Sequence, residues 1–300
     1  MATSGSSDFN LNAAEIVEEA FERCGLELRT GYDSQTARRS LNLMFADWAN
    51  KGVNLWKVER VTQNLAQLSS SSAVSSYPAG TITATVGASG SLSIGETITG
   101  GTSGTTASII TKPTSTTLTI TVPTGSFTAG ETITGSSSSA ATTISANPDL
   151  TDVQSTIDVL AAVIRRSDTD QSITSIGRTE YLNIPNKTTQ GRASQYFFDR
   201  QITPVINIWQ VPENSTDQLL YDRFIRIQDI DAATNDADVP FRFFPCLVSG
   251  LAYYMAMKRS PDRLPLLKAV YDEDFRNAFL EDREKVALNF VPFASYLRVT

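Results

Sequence analysis

The residues able to do chemistry are unevenly supplied in this chain. It has 300 residues and no histidine, which excludes a Ser-His-Asp or Cys-His nucleophile pair and any zinc site built on imidazole. Its two cysteines, Cys24 and Cys246, are too few for a four-cysteine metal site or a disulfide framework. Each falls on an apolar helical face and reads as a small core residue rather than a reactive thiol. Carboxylates are the remaining candidates, because a glycoside hydrolase needs only two of them. The densest groups are Asp272-Glu273-Asp274 and Glu281-Asp282 with Glu284. Arg276, Arg283 and Lys285 lie among them, the pattern of a solvated helix face with i,i+4 ion pairs. Arg38-Arg39 and Arg165-Arg166 have the charge to meet phosphates or acidic partners, yet read first as ion-paired surface. With 25 Lys+Arg against 32 Asp+Glu the net charge is −7, unlike the clustered basic surface that grips nucleic acid. This supply points away from an enzyme, a metal or a cofactor, and toward a binding or assembly protein.

Charge also divides the chain. Between Val61 and Pro148, 88 residues rich in Ser, Thr, Gly and Ala carry only Glu96, Lys112 and Glu131 as charges. Thr81-Ile82-Thr83-Ala84-Thr85-Val86 and Thr117-Leu118-Thr119-Ile120-Thr121-Val122 alternate polar and apolar residues, as half-buried strands require. Gly95-Glu96-Thr97-Ile98-Thr99-Gly100 recurs 35 residues later as Gly130-Glu131-Thr132-Ile133-Thr134-Gly135. The stretch therefore reads as a compact β module of two repeats rather than a disordered linker.

The flanks are helical and strand-like. Asn12 with Glu15 fits a capping box, followed by an apolar stripe from Ala13 to Cys24 that Gly25 can stop. A second helix is predicted from Asp33/Ser34 to Asn50, pairing with the first as an αα-hairpin, with Trp48 and Trp56 as core anchors. Ile157–Arg166, Gln195–Arg200, Val205–Gln210 and Gln218–Ile227 read as strands, Phe244–Arg259 as a buried helix and Arg263–Ala287 as an amphipathic one. The expected fold class is α+β: a helical hairpin or bundle with a small antiparallel sheet, plus an inserted all-β module built from two repeats. No run of about 18 apolar residues is present, and residues 1–12 have no basic or apolar start, so a soluble protein made in the cytoplasm is expected.

Three segments carry a resemblance: Ser40–Lys57 (SLNLMFADWANKGVNLWK), Glu180–Arg200 (EYLNIPNKTTQGRASQYFFDR) and Asp238–Arg259 (DVPFRFFPCLVSGLAYYMAMKR). Together with the charged helix and the aromatic tail after it, they resemble the head-to-tail adaptor, or connector, proteins of short-tailed and related tailed bacteriophages. The resemblance covers residues 1–60 and 150–300, and the repeat module departs from it after Tyr77-Pro78. It implies an adaptor core over 1–77 and 150–289, an inserted β-repeat domain over 78–149 and a docking tail over 290–300. It further implies a virion protein at the head-tail interface, made in the host cytoplasm: a ring of about twelve copies with heterologous contacts. That ring would sit on the portal protein, offer a surface to the tail nozzle or tube, and retain packaged DNA that passes through its lumen without sequence-specific binding. No membrane partner is implied.

Phe290, Val291, Pro292, Phe293, Tyr296 and Leu297 make the tail apolar enough to need a partner, and by the resemblance they dock on the portal. Asn183, Ile184, Pro185, Asn186 and Lys187 form a turn-rich loop leading to Tyr196-Phe197-Phe198, a candidate contact on the tail side. The alternative is a carbohydrate- or receptor-binding virion protein in which the β-repeat module is the binding part.

Overall fold

Asn12 and Glu15 close the capping box that their spacing predicts. The Asn12 side chain accepts the Glu15 N–H at 3.0 Å and the Glu15 carboxylate accepts the Asn12 N–H at 2.9 Å. Helix α1 (Ala13–Cys24) starts there and stops at Gly25, whose φ of 69° is left-handed. The computed structural model describes residues 5, 9–52, 55–65 and 75–282. After α1 come α2 (Gly31–Asn50), β1 (Val58–Asn64), β2 (Ser75–Pro78), β3 (Thr83–Thr85), β4 (Thr97–Gly100), β5 (Thr106–Thr114) and β6 (Thr117–Ile120). Next are β7 (Thr132–Gly135), β8 (Ala141–Thr143), α3 (Thr151–Ser155), β9 (Thr156–Arg166), β10 (Thr169–Ser172) and β11 (Thr174–Ser175). The chain continues through α4 (Arg178–Asn183), β12 (Gln195–Asp199), β13 (Val205–Trp209), β14 (Gln218–Ile225), α5 (Phe244–Arg259) and α6 (Leu264–Glu281). Two compact units result, Met1–Trp56 with Ile227–Thr300, and Lys57–Arg226.

The first unit is built on α5, which is apolar nearly all round and buries ten of its sixteen residues. Helices α1, α2 and α6 all pack on it, and α1 and α2 also touch each other, as the predicted αα-hairpin requires. Close approach is possible because residue 250 is glycine. A Cβ there would lie 2.4 Å from Met44 Sδ of α2 and 2.8 Å from the Tyr271 ring of α6. Trp48 is fully buried beside them, and its Nε1–H donates to the Tyr271 hydroxyl at 2.9 Å, satisfying the one polar atom of a large apolar side chain.

The second unit overturns the expected fold class. The chain is not a helical bundle with a small sheet; it is mostly sheet, with three sheets of four, four and six strands. One runs β1-β14-β9-β10 and another β11-β12-β13-β2. Val159, Ile164, Leu219 and Tyr221 from the first share a core with Tyr77, Tyr196, Ile206 and Ile208 from the second. The expectation fell short because pairing is long-range: Val58 lies opposite Phe224, and Tyr77 opposite Ile206, distances along the chain that local periodicity does not encode.

The third sheet has the order β3-β6-β5-β4-β7-β8 and closes on itself. Bridges Val86↔Ile144 and Thr83↔Asp149 join its two outer strands, and Gly87 N–H donates to the Thr143 carbonyl at 2.8 Å. The result is a six-stranded barrel without a free edge, filled by Ile82, Ile98, Ile109, Leu118, Ile120, Phe127, Ile133 and Ile144. Thr83 lies opposite Thr119 and Thr99 opposite Thr134. These are equivalent positions of the two repeats, so the barrel has an approximate two-fold axis through both pairs.

Candidate functional site

The repeat's two glutamates hold the barrel's loops reciprocally. Glu131 accepts the N–H groups of Thr102 and Ser103 (2.9 Å each), the Ser103 hydroxyl (2.8 Å) and the Thr128 N–H (2.7 Å). Glu96 does the same for the other copy, through the N–H groups of Ser93, Ser137 and Ser138 and the hydroxyls of Ser137 and Ser138. Burial alone would raise the Glu131 pKa, but these donors outweigh it and bring it down to about 2; Glu96 is lowered by the same balance. The glycine four positions on makes the room: a Cβ on Gly100 would lie 2.7 Å from a Glu131 oxygen, and one on Gly135 2.5 Å from Glu96. Lys112 donates to the carbonyl of Leu92 at 2.6 Å. All three charged side chains of the low-charge stretch therefore serve the barrel's own loops.

Arg223 on β14 fastens the place where the chain leaves the two four-stranded sheets and returns to them. It is 2% exposed and donates to the carbonyls of Ala79 (3.2 Å) and Asp152 (3.1 Å) and to the Thr156 hydroxyl (2.9 Å). Its second nitrogen meets Glu59 at 2.9 Å and Asp152 at 2.5 Å. Gly80, at φ 146°, leaves space that a Cβ would take 2.3 Å from this guanidinium.

The candidate loop 183–187 is ordered by its own contacts. Lys187 Nζ donates to the carbonyls of Leu182 and Ile184, both at 3.0 Å. The Asn186 side chain accepts from the N–H (3.0 Å) and hydroxyl (2.9 Å) of Thr188, and its carbonyl accepts from Trp209 Nε1 at 3.0 Å. Behind it Tyr181 stacks on Phe197 with centroids 5.5 Å apart, covered by Arg178, which pairs with Asp199 at 2.6 Å. Asn183, Pro185 and Asn186 stay exposed beside Leu182. Such a loop offers a preformed surface that needs little ordering on contact. Sequence reading missed the supports Arg178, Tyr181 and Trp209, which no local pattern marks.

The other candidate group, Phe290, Val291, Pro292, Phe293, Tyr296 and Leu297, lies outside the described residues, and so does Glu284. Cys24 and Cys246 are buried in the helical core, and burial raises both thiol pKa values, which makes them inert rather than nucleophilic. Arg166 pairs with Asp217 and Glu213 at 2.7 and 2.8 Å, and Arg165 with Asp170 at 2.7 Å. Among the described residues no cluster of three or more Cys, Asp or Glu side chains is arranged to hold a metal ion. Compared with known proteins, the chain matches no family model and no curated protein.

Proposed function

We propose that this chain is a structural head-to-tail adaptor that forms a ring between a phage portal and tail and extends the DNA channel. The observation that carries this reading concerns the resembling segments. Ser40–Lys57 and Asp238–Arg259, far apart in sequence, build one core: Phe243 lies 5.5 Å from Trp48 and 4.7 Å from Trp56, ring to ring. Trp56 Nε1–H also donates to the Asp238 carbonyl at 3.2 Å. The third segment, Glu180–Arg200, supplies the self-supported loop and the strand behind it, suited to a rigid contact with a tail protein. A net charge of −7 fits a lumen that repels DNA and lets it slide. The partners are the portal, through residues 290–297, the tail nozzle or tube, and further copies of the chain; the role is not enzymatic.

The test is capture by purified portal rings. The full chain is expected to bind and to add a ring of density beyond the portal, whereas a chain ending at Asn289 stays folded and is not captured. Undiminished capture of the shortened chain overturns the assignment of the tail, and a full chain that adds no ring overturns the adaptor reading.

A further inference from the structure

The helical unit carries two patches of opposite character at the two ends of α5. At the N-terminal end, Phe244 joins Phe9 and Phe241 in an open groove of about 500 Å³. Phe9 and Phe241 are 63% and 68% exposed, and the three rings meet edge to face at 5.8–6.4 Å. Helix α1 lines one wall with four glutamates. Glu15 serves the cap and Glu19 pairs with Arg23 at 3.0 Å, whereas Glu18 and Glu22 make no ion pair among the described residues. A wet acidic wall beside bare aromatic rings is a costly surface to leave open to water and a natural seat for an apolar side chain flanked by a cation.

The other end of α5, about 20 Å away along the helix, is basic. Lys258 and Arg259 stand there beside Arg38 and Arg39 of α2. Arg259 is held by Asp33 at 2.6 Å, Arg38 by the carbonyl of Asp231, and Lys258 by the Ser40 hydroxyl at 2.6 Å. Arg39 makes no ion pair among the described residues. Burial first, then the charges of Arg39 and Arg259, hold the Lys258 pKa below its ordinary value. Arg38, Arg39, Lys258 and Arg259 stand here against the carboxylates of Asp33 and Asp231, which leaves the corner net positive. One helical turn from Arg39 lies Leu43, 57% exposed, on the same face of α2.

We propose that the two patches are the halves of a heterologous contact between copies of this chain. Leu43 of one copy seats against the Phe9, Phe241 and Phe244 rings of the next, and Arg39 lies between Glu18 and Glu22. Paired reciprocally, the two patches would stop at a two-fold dimer; in a ring each patch meets a different neighbour. They propagate head to tail, and a fixed rotation per copy closes them into a ring. This rests on the adaptor reading for the ring's purpose, but the contact itself is measurable without a portal.

The experiment uses the full chain with Gln35→Cys and Pro245→Cys, two exposed positions beside the patches, and a short bismaleimide; Cys24 and Cys246 are buried. A ladder of dimers and higher species is expected on a denaturing gel. In the same background, Arg39→Glu alone and Glu18→Lys with Glu22→Lys alone are each expected to slow the ladder roughly tenfold or more, since like charges then face each other. An equal mixture of the two charge-reversed proteins restores it, because every contact in an alternating chain is again between opposite charges. No ladder, a product that stops at dimers, a ladder indifferent to charge, or a mixture that fails to recover overturns the proposal. So does slow alkylation of the Pro245→Cys thiol in dilute protein, which would show the groove covered by its own chain, or protection of that thiol by portal rings alone. A charge-dependent ladder together with failed portal capture would leave this contact standing and remove the adaptor reading.

Discussion

Replacing Arg223 with methionine keeps the apolar stem and removes the guanidinium, and the surroundings set what that costs. The neutral acceptors it serves each keep another partner. The Ala79 carbonyl still accepts from the Thr156 hydroxyl at 2.6 Å, and the Asp152 carbonyl from Ser155 at 2.6 Å. The carboxylates are not sealed in either: the Glu59 side chain is 51% and that of Asp152 44% exposed, so water re-solvates them. The full penalty for an orphaned buried charge, about 3–5 kcal/mol, therefore does not apply, and the loss is that of a few charged hydrogen bonds, about 1–2 kcal/mol net. For a unit of this size that is a fall in melting temperature of roughly 2–8 °C. Arg223→Ala also empties the stem's volume and is expected to cost about 2 kcal/mol more. Because the barrel has its own closed core, the loosening should be local, with faster protease cleavage around residues 79–81 and 150–156 and a barrel fragment that survives. Thermal unfolding with limited proteolysis reads both effects. An unchanged melting curve, or barrel and sheets unfolding together with no resistant fragment, would refute the reasoning.

Glu131→Gln should destabilise the barrel at neutral pH and flatten its acid response. The folded carboxylate titrates at about 2, below its ordinary 4.5, so its contribution is complete above pH 4.5 and drains away as pH falls toward 2; melting temperatures across pH 2–7 test this. Gly250→Val should lower the stability of the helical unit by about 2–3 kcal/mol, because α5 cannot retreat from both Met44 and Tyr271. Denaturant unfolding followed by tryptophan fluorescence reports it through Trp48.

Much of this architecture is written locally. Asn12 and Glu15 announce where α1 begins, Phe244–Arg259 reads as a buried helix because no polar stripe interrupts it, and Thr117–Val122 alternates as β6 requires. The repeat is legible too, and so in principle was the task of its glutamates: each stands second in a Gly-Glu-Thr-Ile-Thr-Gly copy, four residues before a glycine that makes room for the other's carboxylate. What sequence withholds is partnership across distance. Nothing near Val86 names Ile144 as its bridge, nothing near Arg223 names Ala79 and Asp152, and the pairings of Val58 with Phe224 and Tyr77 with Ile206 replace the expected single small sheet by two of four strands. The candidate site divides along the same line. Of residues 183–187, which read as a turn, Asn183 closes α4 and the rest follow it as a loop, and the supports behind that loop, Trp209 and the Tyr181–Phe197 stack, are contacts of the folded chain.

The hydrogen bond from the Thr156 hydroxyl to the Ala79 carbonyl has an evolutionary meaning. The two ends of the intervening segment meet within one hydrogen bond, while that segment wraps its strands into a barrel with no edge to offer. A host gene can therefore acquire or lose residues 80–155 as a cassette, with the flanking strands rejoined by a short turn and their pairing untouched. Lineages sharing the helical unit and the two open sheets are expected to differ at this one point, some carrying the barrel and others a hairpin, and the Arg223 position should change character with its presence.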